Sequence, residues 1–348
     1  MKAQIPFQTP FQTRTLLNNR HLQTIWPTLF RNLLPLERMR ETLHWPDGDF
    51  IHIDWYGTND QSPLVVLLHG LTGSSESSYI LGLQKQLLNF GWQSLAVNFR
   101  GCSGEPNLLP RSYHSGDSQE LSALLQALRK RFPQRQLAAV GYSLGGNILL
   151  KYQGEQGKNS LLDCAVAVSP PFMLDLCACR MNQGVSKIYR NRFIRRMRQQ
   201  LEAKRAFFAR QQWYDHLAPL DAIGNLDRIK TFQEYDHRVT APLHGFTSAE
   251  EYYRQSSCRF YLKGIATPTL IIHSKDDPFM TDKVIPMATE LSESTCLELC
   301  DKGGHVGFIS GTFQQQDYWL ESRIPLFLAD HFNGVTEATE NNKTAPES

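Results

Sequence analysis

Short apolar runs separated by helical patterns constrain this chain most. The runs are Leu64–Leu68, Ser94–Phe99, Leu137–Val140 and Cys164–Val168. Such runs read as strands covered on both faces, as in a parallel sheet. The clearest helix between them opens with Asp117 and Glu120 in capping-box spacing. It then places Leu121, Leu124, Leu125 and Leu128 on one face and stops before Pro133. The alternation resumes with Thr269–Ile272, a helix near Asp282–Leu291, a strand near Leu297–Leu299 and a last helix ending around Phe332. No internal repeat competes with this pattern. It predicts an α/β fold, a mostly parallel central sheet with helices on both faces.

Between Pro170 and Ala266 the alternation gives way to helical, aromatic and basic sequence, which reads as an insertion over the sheet. The expected organisation is an N-terminal extension packing on the core (1–46), a first core part (47–170), a helical cap insertion (171–265), a second core part (266–333) and a disordered polar tail (334–348). The 348 residues would allow two domains, but one core with an insertion accounts for them. With 41% hydrophobic and 20% charged residues, disorder is excluded for the bulk of the chain. Thirty-six Lys and Arg against 34 Asp and Glu give +2, which makes no case for nucleic acid. Among the seven cysteines, Cys177 and Cys179 have a single intervening residue, which suits neither zinc nor a disulfide framework. No secretory h-region stands in MKAQIPFQTPFQTR, and no stretch of ~18 apolar residues offers a membrane span. A reduced, soluble cytoplasmic protein without metal or organic cofactor is expected, possible contact with the inner membrane being peripheral.

Gly141-Tyr142-Ser143-Leu144-Gly145 is a G-x-S-x-G that follows the apolar run Leu137–Val140 and opens a helix. So sharp a strand-to-helix turn strains the serine backbone and exposes Ser143 Oγ, while the helix presents N–H groups to a developing anion. A serine nucleophile needs a base, and the base an orienting acid. Both lie downstream at strand ends: Asp276 and Asp277 after Thr269–Ile272, and His305, behind Gly303 and Gly304, after Leu297–Leu299. Asp277 is the favoured acid because it precedes the proline ending its turn. Asp276 is the alternative, or holds the loop through backbone hydrogen bonds. His273 competes with His305 but sits on or beside the strand leading to the acid. The loop His69-Gly70-Leu71-Thr72-Gly73-Ser74 would supply an oxyanion hole from the Leu71 N–H, joined by the Leu144 N–H.

From Lys187 to Arg210 the chain carries nine Lys or Arg and one Glu, with Ile194, Met197 and Leu201 as a narrow apolar stripe. The expectation is a cap helix whose stripe covers the sheet and whose charges are solvated. A lid meeting anionic lipid headgroups or an acidic substrate is the sharper reading. Phe207, Phe208, Trp213 and Tyr214 are candidates for an acyl pocket or for core.

These residues together resemble the YheT-like branch of the α/β-hydrolase superfamily. The matching segments are Asn19-Arg20-His21-Leu22-Gln23-Thr24, His69 to Gly73, Asn98-Phe99-Arg100-Gly101-Cys102-Ser103-Gly104 and Tyr113-His114-Ser115-Gly116-Asp117. They continue with Gly141 to Asn147, Thr240-Ala241-Pro242-Leu243-His244-Gly245-Phe246, Asp276 to Phe279, and Gly303 to Phe308. The resemblance implies the α/β-hydrolase fold, a Ser143–His305–Asp277 triad, and carboxylester or lipid-ester chemistry on a small-molecule substrate. An acyltransferase using the same acyl-enzyme, a peptidase, and a non-catalytic binding protein on this scaffold are the rival readings. Arg100, His21 and His114 are expected to be structural.

Overall fold

Eight strands make one sheet, in the order β1-β2-β4-β3-β5-β6-β7-β8, in the computed structural model. It describes residues 11–13, 18–31, 35–57, 61–312 and 315–340. The strands are β1 (Met39–His44), β2 (Phe50–Tyr56), β3 (Leu64–Leu68), β4 (Gln93–Asn98), β5 (Leu137–Tyr142), β6 (Cys164–Val168), β7 (Thr269–Ser274) and β8 (Thr295–Cys300). From β3 onward neighbours pair in parallel, while β2 is antiparallel to both β1 and β4. The carboxyl ends of β3, β5, β7 and β8 therefore open on one edge, where ligands bind in such sheets.

Alternation along each strand sends side chains to two separate cores. Val65 and Leu67 pack with Ile80 and Leu83 of α2 (Ser78–Asn89) and with Ile324 and Leu328 of the last helix. Leu64, Val66 and Leu68 pack on the other face with Leu121 and Leu125 of α3 (Ser118–Arg131) and Ile148 and Leu149 of α4 (Leu144–Gln156).

Several local expectations are corrected. The sheet begins at Met39, inside the stretch read as an extension, because β1 is an edge strand of mostly exposed residues with no apolar run to betray it. Its hairpin closes where Trp45 N–H donates to Asp49 O at 2.8 Å, with Gly48 at φ +85°. Asp117 makes no side-chain cap bond to α3, and Glu120 instead accepts from Arg100 and Arg111. No helix spans 282–291. Two short 3₁₀ turns, Asp282–Val284 and Ala288–Glu290, flank Pro286, which lacks a donor and holds Ile285 extended at ψ 125°. The last helix runs Trp319–Glu340, past Phe332, since no proline follows Pro325 within it. Residues 1–10, at the start of the segment read for a signal, and 341–348 of the expected tail lie outside the described residues.

Between β6 and β7 lie α5 (Leu174–Arg180), α6 (Ser186–Gln211), α7 (Tyr214–Asp221) and the helix Ala249–Ser256. The α6 stripe does not cover the sheet. Ile194 and Leu201 join Phe208, Leu220, Ile223 and Val239 in a core internal to this segment. No helix among the described residues is long and apolar enough to cross a membrane.

His273 lies in β7, fully buried, its ring edge-on to Phe172 with centroids 5.4 Å apart. Burial pushes its pKa down to about 4, so the unfolded chain takes up this proton near pH 6.5 and the folded chain does not. The folded state therefore loses stability through this group as pH falls from about 6.5 towards 4. Urea unfolding of His273→Leu should accordingly show a smaller loss between pH 7 and 5 than the wild type, by on the order of 1–2 kcal/mol. Equal losses would contradict this.

Candidate active site

The turn between β5 and α4 holds Ser143 at φ 52°, ψ −117°, conformational space that an L-residue adopts only under constraint. The constraint is close packing. A Cβ on Gly141 would lie 2.4 Å from Gly145 O, and one on Gly145 would lie 2.6 Å from Leu68 O. From this turn Ser143 Oγ stands 2.9 Å from His305 Nε2, and His305 Nδ1 stands 2.7 Å from Asp277 Oδ2. Asp277 is 1% exposed, and its other oxygen accepts the Phe279 N–H at 2.8 Å. A neutral His305 that donates from Nδ1 to the carboxylate can accept the serine proton at Nε2. Asp276 does not reach the ring. Its Oδ1 accepts the Gly304 N–H at 2.9 Å, and so fastens the histidine loop.

The loop after β3 passes over the serine, where a Cβ on Gly70 would lie 3.2 Å from Ser143 Cβ. The Gly70 N–H donates to Tyr79 Oη and the Thr72 N–H to Tyr113 Oη, each at 2.9 Å. Between them the Leu71 N–H has no acceptor among the described residues, nor has the Leu144 N–H at the start of α4. Two free donors beside a nucleophile can hold an oxyanion. His69, behind the loop, donates from Nδ1 to Gly70 O at 2.7 Å and accepts the Phe99 N–H at 3.3 Å. Burial lowers its pKa to about 4 and keeps it neutral.

Nothing in the pattern of residues singled out helix α1 (Arg20–Leu29) as a partner of the histidine loop. Thr24 Oγ1 accepts the His305 N–H at 2.9 Å and donates to Arg20 O at 2.7 Å. Arg20 Nε donates to Asp276 O at 2.5 Å. Gln23 clamps Ile309 through both its carbonyl and its N–H, at 2.7 and 2.8 Å. A Cβ on Gly304 would meet Arg20 O at 2.6 Å, and one on Gly307 would meet Gln23 O at 2.2 Å. The glycines around His305 thus admit α1, beyond shortening the turn.

Above the site lies a cavity of about 950 Å³ reaching Ser143, His305, Leu71 and Leu144. Leu174, Met181, Phe193, Met197, Phe279 and Met280 give it apolar walls. The Phe279 ring lies 4.2 Å from that of His305. Phe207, Phe208, Trp213 and Tyr214 are not among its lining residues. Phe208 is buried within the helical segment between β6 and β7, against Trp213 at 5.9 Å, and Tyr214 is exposed. Arg100 is buried among Asp47, Asp49 and Glu120. His21 stacks on Tyr189 and bonds its hydroxyl at 3.0 Å, while His114 lies 4.6 Å from the His244 ring on the cavity wall. Among the described residues no group of three His, Cys, Asp or Glu is placed to hold a metal ion.

The fold finds its counterparts among known proteins. The family model described as alpha/beta hydrolase fold matches residues 63–312. An Escherichia coli K12 protein named "Putative esterase YheT" is 40% identical over 317 residues, covering 90% of this chain and 91% of that protein. The Saccharomyces cerevisiae protein named monoacylglycerol lipase is 28% identical over 93% of this chain and 69% of its own. Human phospholipase ABHD3 is 26% identical over 88% and 75%. In fold alone, the solved Pyrococcus furiosus esterase Pf2001 superposes with a TM-score of 0.54 at 18% identity, over 87% of this chain and 96% of its own. The chain belongs to the α/β-hydrolase family, in its YheT-like branch.

Removing one hydrogen bond that orients a buried loop typically costs about 1 kcal/mol, more when a donor is stranded. Thr24→Val should therefore lower kcat on an ester by roughly tenfold with KM little changed, whereas Thr24→Ser keeps the acceptor and most of the rate. Steady-state kinetics of the two variants checks this, and equal behaviour would refute a positioning role for Thr24.

Proposed function

We propose that the protein is a serine hydrolase of carboxylic esters with an acyl or lipid moiety. The observation that carries this reading is the unbroken chain from Ser143 through His305 to Asp277 at one end of a large, partly apolar cavity. Ser143 Oγ attacks the ester carbonyl as His305 Nε2 takes its proton. The oxyanion so formed is held by the Leu71 and Leu144 amides. Collapse expels the alcohol, which leaves with the proton from His305, and an acyl group remains on Ser143. Water then attacks the acyl-enzyme with the same proton relay, freeing the acid and restoring the serine. Asp277 keeps the histidine in the productive tautomer and balances the imidazolium charge. Relatives named esterase, phospholipase and monoacylglycerol lipase support ester chemistry.

The basic helix α6 also supports peripheral contact with an anionic membrane surface. Val185 and Ile188 are exposed at its start beside Lys187, an arrangement suited to an interface. Salt-sensitive flotation with phosphatidylglycerol vesicles, absent with phosphatidylcholine, is its readout.

A fluorophosphonate probe should label the wild type at Ser143 and leave Ser143→Ala unlabelled. A p-nitrophenyl ester series should be turned over by the wild type, with a loss on the order of 10³-fold or more in the variant. Folded wild-type protein that takes no label would sink the reading. Added short alcohols that outcompete water for the acyl group would reassign the same intermediate to acyl transfer.

A further inference from the structure

Most cations that reach the cavity are already answered by the protein. Arg31 pairs with Glu321 at 2.5 Å, and Arg100 lies among three carboxylates. Lys204 donates to Arg111 O at 3.0 Å and Ser112 Oγ at 2.7 Å. Arg192 and Arg196 differ, because both line the cavity and neither guanidinium has a hydrogen bond or ion pair to a described residue. The acids on the wall do not answer them. Glu76 pairs with Arg38, Asp236 is engaged by Thr240 and Tyr253 at 2.7 and 2.8 Å, and Glu105 contacts neither arginine.

The two arginines are one turn apart on α6, where like charges oppose helix formation. Arg196 is an exposed residue, made less basic by partial desolvation of its guanidinium and then by the like charges of Arg192 and Arg195. Helical spacing puts Arg192 and Arg196 on the face that carries Tyr189 and Phe193. Phe193 packs on Phe279 at 5.8 Å, and Phe279 in turn covers His305. The unneutralised charge therefore adjoins the aromatic wall above the serine.

We propose that Arg192 and Arg196 bind an anionic group of the substrate, a phosphate or carboxylate on the half of the ester that is not held among apolar side chains. The inference rests on the serine-esterase reading and narrows it to amphiphilic esters bearing a negative charge. Guanidinium groups suit this task, since they bond phosphate or carboxylate through paired donors.

The test uses full-length Ser143→Ala and two non-hydrolysable ethers, 1-O-octylglycerol 3-phosphate and 1-O-octylglycerol, below the concentrations at which they aggregate. Calorimetry should find the phosphate bound at least tenfold more tightly. Adding Arg192→Gln and Arg196→Gln should erase that preference and leave the affinity for octylglycerol unchanged. Equal affinities at the outset, or a preference that survives both substitutions, would overturn the proposal. So would inorganic phosphate that binds as tightly as the phosphorylated ether, because the site would then serve a free anion. Probe labelling of Ser143 in the wild type is read separately. Labelling without a phosphate preference defeats this inference alone, and a preference without labelling defeats the serine reading alone.

Discussion

The contact on which the site's geometry turns is the 2.7 Å bond between the buried Asp277 carboxylate and His305 Nδ1. It joins loops that leave adjacent parallel strands, β7 and β8, and it sets which ring nitrogen faces the serine. Ser143 arrives from β5, two positions away in the sheet across β6. No local sequence preference brings these three residues together. The parallel order of the strands does, by putting the carboxyl ends of β5, β7 and β8 on one edge.

That edge is held in unfavourable backbone conformations. Thr72, Ser143, Ser169, Val306 and Phe308 have positive φ without being glycine, and all lie in or against the site. Each such residue costs about 1–3 kcal/mol, so the surroundings must over-determine it. Tyr79 and Tyr113 do so for the β3 loop, and Ser169 Oγ accepts the Val306 N–H at 3.3 Å. Helix α1 does so for the histidine loop, although it precedes the segment matched by the family model. The glycines around His305 and the N-terminal helix are thus two halves of one packing arrangement.

The parallel strands were legible because burial on both faces leaves a continuous apolar signature, and Leu64–Leu68 and Cys164–Val168 begin and end as read. The Ser143 turn was legible because its geometry demands small residues at fixed spacing. β1 was not, since an edge strand needs no apolar run. The expected helix over 282–291 fails at Pro286, which has no N–H to donate and holds Ile285 extended. The Thr24–His305 contact spans 281 positions in the chain and uses ordinary backbone and hydroxyl groups, so no local pattern announces it. Arg192 and Arg196 looked like part of a solvated basic face. Only the placement of α6 over the cavity separates them from Arg198, which pairs with Asp227.

The proposed chemistry requires Ser143 to react while the Leu71 and Leu144 amides receive the charge. A crystal structure of the wild type after reaction with a short-chain alkyl phosphonate ester tests this most directly. Phosphorus bonded to Ser143 Oγ, with its oxygen about 2.7–3.1 Å from both amide nitrogens, is the expected result. An adduct whose oxygen turns away from those two amides, or phosphonate bonded to another residue, would contradict it.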